Sequence, residues 1–235
     1  MRGRLFGIYG ASGCGRGVLP LAREMLSGEG VAEDRLVFID DRPAAPLVNG
    51  HKVVTYGEFV AIDASERFAA LAIADSAVRE RLERQCRKDG VQAWSISASN
   101  VVVLDDVVIG EGAILCPFVT ITSNIRIGRQ FHANIGSIVE HDCVLGDFVT
   151  FAPGVICNGN VRIEDHAYVG AGARLRQGRP GAPLVIGRGA IVGMGAVVTR
   201  DARSSGSSRR GRMRAMRSRS PMARLRSRSL SRRST

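Results

Sequence analysis

The sequence predicts two folded parts of different class: an α/β part on a small parallel sheet over residues 1–95, and an all-β parallel β-helix over 96–202. Three observations carry this division. Short apolar runs alternate with amphipathic segments up to about residue 95. An apolar residue then recurs every sixth position from Val103 onward. After Asp201 the composition changes to arginine and serine.

In the first part, "RLFGIYG" reads as a buried strand and "GASGCG" as a tight turn into a helix from Arg16 to about Leu26. "RLVFIDD" is a second strand ending in acids, and "FAALAIAD" a third. "SAVRERLERQCRKDG" has the spacing of an amphipathic helix, with Ser76 as its N-cap and Gly90 as its stop. This βαβαβα order implies a Rossmann-like parallel sheet covered by helices. A glycine-rich turn between strand and helix suits a phosphate held on the helix N-terminus, which makes Gly10, Ser12, Gly13, Cys14 and Gly15 candidate nucleotide contacts. Asp40, thirty residues after Gly10 and followed by Asp41, stands where a strand-end acid binds a ribose hydroxyl. On spacing alone this could equally be a nicotinamide site.

In the second part, steps of six from Val103 reach Leu175 through thirteen positions, all apolar, including Val139, Leu145, Phe151, Cys157 and Ile163. A second set four residues after each, among them Val119, Ser137, Cys143 and Ala173, is small or β-branched for the most part. Neither a helix nor an ordinary strand repeats at six. One short strand and a turn do, and three such units close an 18-residue triangular coil whose strands stack at ~4.8 Å. The register breaks at "RQGRPGAPLV" and resumes at Ile186, eleven residues after Leu175, so a loop is expected to leave the prism there.

Charge follows the same division. The chain carries a formal +11, but residues 203–235 hold 12 Arg and no acid, leaving 21 basic and 22 acidic residues in 1–202. A neutral body argues against nucleic acid as the main partner. The tail, with 10 Ser, lacks the means to bury a core and is expected to be disordered. It reads as a phosphate-neutralising segment, an extension without a role, or a frame-shifted end, and the last is favoured. Five scattered cysteines, with no CxxC pair, read as reduced thiols of a cytoplasmic protein. No apolar run approaches the ~18 residues of a membrane span. The opening "MRGRLFGIYGASGC" is too short and glycine-broken for a lipoprotein signal.

Together, "GASGCG" after an opening strand, "FIDD", the hexapeptide period and "SIVEHDCVLGDFV" resemble the sugar acyltransferases of the sialic-acid O-acetyltransferase type, above all the N-acetyltransferases of nucleotide-linked 4-amino sugars. The resemblance covers about residues 4–202 and implies a left-handed coil, acetyl-CoA as co-substrate and a homotrimer. It implies His141 as general base and Asp142 as its orienting partner. For the UDP- or GDP-sugar it implies the glycine-rich turn, Asp40, Asp41, Arg79 and Asn134. For acetyl-CoA it implies Gly159, Thr150, Ala171, Gly193 and Met194.

Histidine is a base suited to neutral pH, and an adjacent acid can hold its tautomer. Periodicity adds that Gly159 follows His141 by one coil at the same corner, where its N–H could polarise a thioester carbonyl. Two departures stand out: Cys14 and Thr150 occupy positions where relatives often carry histidine. They leave room for a nucleotide-sugar-binding scaffold without activity, and sugar O-acetylation is the other alternative. A zinc site of the γ-carbonic-anhydrase kind needs three ordered histidines. The spacing of His132, His141 and His166 does not supply them, so no metal is expected.

Overall fold

The structure is a computed structural model that describes residues 3–203; the Arg/Ser-rich tail lies outside the described residues from 204 onward. The first strand, β1 (Leu5–Tyr9), is buried throughout. Helix α1 (Gly13–Ser27) begins three residues before the expected Arg16, because the glycine-rich turn itself forms its first turn, with Ser12 at the N-cap. Strand β2 (Leu36–Ile39) follows. A hairpin of β3 (Leu47–Val48) and β4 (His51–Val54) comes next, turning through Asn49 and Gly50, both at positive φ. Helix α2 (Tyr56–Ala61) opens with a Thr55/Glu58 capping box. Neither the hairpin nor α2 was expected from the apolar pattern.

Strand β5 (Arg67–Leu71) leads to helix α3 (Ser76–Lys88) and the short β6 (Gln92–Ala93). The N-cap of α3 is Asp75 rather than Ser76; its carboxylate accepts from the N–H groups of Ala77 and Val78. The sheet order is β3-β4-β2-β1-β5-β6, parallel except for β3. The strand ends that carry Gly10, Asp40 and Ile73 therefore share one edge.

From Ile96 the chain winds into a prism of three parallel sheets. Each strand pairs with the one 18 residues on, as in Ile121 with Val139, Val139 with Cys157, and Cys157 with Leu175. Both periodic sets point inward, and Ile121, Val139, Cys143, Phe151, Val155 and Leu175 are wholly buried. The Phe131 and Phe151 rings meet edge-on at 5.3 Å inside it. The break after Leu175 is an excursion rather than a shortened repeat. Ile163 pairs with Ile186, 23 residues on, so five residues are added and the register is kept.

The three corners differ in what occupies the left-handed backbone position. One holds Asp106, Asn124, Asp142 and Asn160, the side chains that best tolerate positive φ apart from glycine. A second holds Gly112, Gln130, Phe148, His166 and Gly189. The third holds Phe118, Gly136, Gly154, Gly172 and Gly195.

The sheet and the prism pack on each other directly. Val18, Leu21 and Ala22 of α1 share one apolar cluster with Ile96, Ile114 and Cys116 of the first coils. Along the outward column of that prism face, Ile96, Ile114, His132 and Thr150 are buried. Beyond the cover, Tyr168 and Ile191 emerge into solvent. Helix α3 lies along the second corner. There Glu83, itself buried, accepts from Arg87 and from Arg129, each at 2.8 Å, and Arg129 stacks over the Phe148 ring. Among the described residues no helix is long and apolar enough to cross a membrane.

Candidate active site

The glycine-rich turn is built by close backbone approach. A Cβ on Gly15 would stand 1.8 Å from the carbonyl oxygen of Gly10, so only glycine lets α1 start this near the end of β1. Gly10 itself has φ 104. Asp40 braces the turn: one carboxylate oxygen accepts the Ala11 N–H at 3.2 Å, the other the Arg42 N–H at 3.0 Å. Asp41 accepts from the Tyr9 hydroxyl and, at 2.9 Å, from the Tyr56 N–H at the start of α2. Burial first, then Asp41, raises the Tyr9 pKa, so the phenol stays a donor at all ordinary pH. Both acids thus hold the sheet edge in shape.

A cavity of about 220 Å³ joins this turn to the prism. It is lined by Gly13 and Cys14 from α1 and by Cys116, His132, Asn134 and Ile135 from the coils. The structure therefore brings together Gly13, Cys14 and Asn134, which lie far apart in sequence. The Asn134 amide nitrogen donates to the Phe151 carbonyl at 2.7 Å, tying it to the next coil. Burial pushes the Cys14 thiol pKa up, with Arg79 opposing.

Arg79 is not placed as a direct nucleotide contact. It is wholly buried, and its guanidinium donates to the carbonyls of Ile73, Ala74 and Phe148 and to the Thr150 hydroxyl at 3.0 Å. Thr150 is correspondingly buried beneath the sheet, not on a surface that a cofactor could reach. The reason is the cover described above: the outward column of this face is sealed by α3 and the loop before it. Burial lowers the Arg79 pKa to about 10, still far above neutrality.

His141 and Asp142 stand at the first corner. The imidazole Nδ1 lies 2.7 Å from the Asp142 carboxylate, whose other oxygen accepts from Asn124 at 3.3 Å. That contact with His141 is the main reason the Asp142 pKa is lowered. The ring lies over Gly159, where a Cβ would come within 2.4 Å of Cε1 and 2.5 Å of Nε2. The Asn160 N–H donates to the His141 carbonyl at 2.9 Å, locking the two coils together at this point. With Nδ1 facing the carboxylate, Nε2 is the nitrogen left to take a proton.

Ala171 and Met194 belong to the third corner, with Gly193 beside it. Its N–H ladder runs from Gly136 to Pro117, Gly154 to Ile135, Gly172 to Pro153 and Gly195 to Ala171. Phe118, Ile135 and Met194 stand out from it, exposed by 67 %, 55 % and 79 %. His132, His141 and His166 lie apart, and among the described residues no three histidine, cysteine or acidic side chains converge to hold a metal.

No protein-family model matches the chain. It is 45 % identical over 185 residues to the GDP-perosamine N-acetyltransferase of Escherichia coli O157:H7, across 79 % of this chain and 84 % of that protein. This chain belongs to the nucleotide-linked amino-sugar N-acetyltransferase family. Among solved structures, WeeI from Acinetobacter baumannii AYE superposes with a TM-score of 0.84 at 51 % identity, covering 86 % of this chain and 94 % of that one. PerB from Caulobacter crescentus, solved with CoA and GDP-perosamine, superposes with a TM-score of 0.72 at 28 % identity, over 86 % and 91 % of the two chains. The parallel β-helix is the fold shared with both structures.

One residue that sequence reasoning undervalued is His132, weighed only as a zinc ligand. It is buried, and among the described residues its Nε2 has no hydrogen-bond partner. The signal available was its place in the outward column with Ile96 and Ile114, where apolar outward residues betray a cover.

Proposed function

We propose that this protein transfers the acetyl group of acetyl-CoA to the amine of a nucleotide-linked 4-amino sugar, with His141 as general base. The observation that carries the proposal is the His141–Asp142 pair lying over Gly159, in a chain of this family. The amine nitrogen forms its bond to the thioester carbonyl carbon and gives its proton to Nε2, and the carbon–sulfur bond then breaks. That proton leaves with the CoA thiolate. Asp142 holds Nδ1–H and stabilises the imidazolium that forms. The Gly159 N–H is the donor for the carbonyl oxygen as it gains charge.

The parallel sheet, Rossmann-like in role, holds the nucleotide through the turn at Gly10–Gly15 and the edge carrying Asp40. The prism, left-handed by analogy with the family, carries the acyl-transfer site. The cavity with Asn134 and the corner with His141 lie on different edges of one prism, which suits a site completed by another copy. The exposed apolar ridge of Phe118, Ile135 and Met194, with Ala171 between, fits the groove of a homotrimer in which acetyl-CoA lies. Five unpaired thiols suit a reducing cytoplasm.

The test is release of free CoA from acetyl-CoA with GDP-perosamine and a panel of UDP- and GDP-linked 4-amino sugars. Turnover should require the amine and should be abolished by His141→Ala with nucleotide binding retained. Undiminished turnover in that variant would rule out the base assignment.

A further inference from the structure

We propose, resting on the reading above, that Arg174, Arg176 and Arg200 form a phosphate-binding surface that selects CoA over an uncharged thioester carrier. The near-neutral net charge of the folded body conceals a separation of charge along the prism. Residues 100–147, in its first coils, hold six acids and two arginines. Residues 170–203, in its last, hold six arginines and one acid, Asp201.

The register fixes where the arginines stand. Val139, Cys157, Leu175 and Val198 pair in successive coils. Two residues after each come His141, Gly159, Gln177 and Arg200, so Arg200 stands three coils beyond His141 at the same corner, ~14 Å along the axis. Arg176 precedes Gln177 in the coil between Gly159 and Arg200. On the adjoining face Ile138 pairs with Ile156 and Ile156 with Arg174, so the outward column changes there from isoleucine to arginine.

All three arginines are exposed. Among the described residues none of them has an ion-pair partner, whereas Arg126, Arg129 and Arg188 of the same prism each pair with an acid. Arg176 is nevertheless held in place. Its Nε donates to the Thr199 carbonyl at 2.8 Å and Nη1 to the Gln177 carbonyl at 3.1 Å, which leaves Nη2 for a ligand. The nearby Asp201 accepts the Val185 N–H at 3.0 Å. Three unpaired cations within two coils repel one another until an anion joins them.

Charge and length select that anion. With the thioester carbonyl at Gly159, its carrier leaves along the corner in one of two directions. Toward the first coils lie Asp142 and then Asp106; toward the last lie the arginines. The pantetheine arm of CoA is uncharged, and the diphosphate and 3′-phosphate follow beyond it. That is the order in which the corner presents Gly159, Gln177 and Arg200. Guanidinium suits phosphate through its planar fork of N–H donors.

The experiment compares acetyl-CoA with acetyl-pantetheine as donor to GDP-perosamine. The proteins are the wild type, Arg174→Gln, Arg176→Gln, Arg200→Gln and the triple variant. The wild type should show a KM for acetyl-CoA about thirtyfold below that for acetyl-pantetheine, an advantage that shrinks as salt is raised. Each substitution should raise KM for acetyl-CoA about threefold, the effect of one exposed charge pair, and the triple variant about thirtyfold. kcat and the KM values for acetyl-pantetheine and GDP-perosamine should stay as in the wild type. Arg176→Lys should keep most of the affinity, and Arg188→Gln, paired with Asp165 at the second corner, should change none of it.

An unchanged KM for acetyl-CoA in the triple variant overturns the proposal. An equal rise for acetyl-pantetheine also overturns it, since the arginines would then only shape the corner. A rise confined to GDP-perosamine overturns it too, by giving their phosphate to the sugar nucleotide. If neither donor is turned over, the enzymatic reading falls, and calorimetric titration of the wild type and triple variant with CoA and with pantetheine still decides the arginines. No binding of CoA by the wild type sinks both.

Discussion

The His141 imidazole occupies the volume that a side chain at Gly159 would fill, with Cε1 2.4 Å and Nε2 2.5 Å from an ideal Cβ. The glycine is therefore a steric condition for the base as well as the carbonyl donor proposed above. Gly159→Ala should expel the ring from its seat beside Asp142. Because misplacing a reacting group by about 1 Å can cost about 10²-fold, kcat/KM should fall by that order. The melting temperature, read by circular dichroism, should change little, since the ring is half-exposed.

Asp142→Asn tests the tautomer. The carboxylate pKa is depressed by His141, so the pair is intact at neutral pH. Its contribution is present above the ordinary carboxylate pKa and is lost as pH falls through the lowered folded value. In the asparagine variant kcat should fall by roughly 10²-fold or more, as when other catalytic histidines lose their orienting acid. The check is kcat measured as a function of pH for the wild type and the variant. A profile superposable on the wild type would remove Asp142 from the mechanism.

Arg79→Met should destabilise the whole fold. It would strip donors from the Ile73 and Phe148 carbonyls and from Thr150, all at the seam between sheet and prism. Breaking such a buried polar network costs about 3 kcal/mol, or roughly 6–12 °C in melting temperature for a chain of this size. KM for the nucleotide sugar should rise more than kcat falls, since Ile73 and Ala74 border the nucleotide edge.

Gly15→Ala should be more damaging than Gly13→Ala. A Cβ at the first meets the Gly10 carbonyl oxygen at 1.8 Å, whereas at the second nothing lies within 4 Å. The alanine at 15 should abolish nucleotide binding by pushing α1 off β1. At 13 it should leave affinity within a few fold, measured by the same titration. Comparable losses at both positions would show that the turn matters only through its flexibility.

Thiol labelling offers a check without mutation. Cys14 is half-buried at the cavity, while Cys86, Cys116, Cys143 and Cys157 are buried. A maleimide should modify Cys14 first in the native protein and all five thiols in denaturant. Saturation with GDP-perosamine should slow the native reaction.

How much of this was legible beforehand depends on the range of the interaction. The prism was readable because its inward positions recur at a fixed step, and each of Val139, Leu145 and Phe151 announces the same environment. The His141–Gly159 contact followed from the same step. What escaped were contacts made across the seam. Arg79 was expected as a contact of the nucleotide sugar, and nothing local shows that Phe148 and Thr150 would enclose it. Thr150 was read as a missing histidine facing a ligand, although its column is covered by another part of the chain. The hairpin at Asn49–Gly50 carries a recognisable turn pair, but its flanks are too short to stand out. Asp75 outcompeted Ser76 as a cap because its carboxylate reaches two N–H groups at once.

The 18-residue pairing gives this chain an unusual kind of arithmetic. Its three corners have different tenants: acids and amides at one, Gln130, Phe148 and His166 between two glycines at another, and Phe118 followed by glycines at the third. Losing a single residue between Ile121 and Leu175 would therefore shift every later residue out of its slot, and no local adjustment could restore it. Length can change here in whole coils, or by looping out of the wall as the five extra residues before Ile186 do. Such a scaffold counts in integers, and its ancestry should be written in turns gained or lost, with loop lengths varying freely only where the chain has already left the wall.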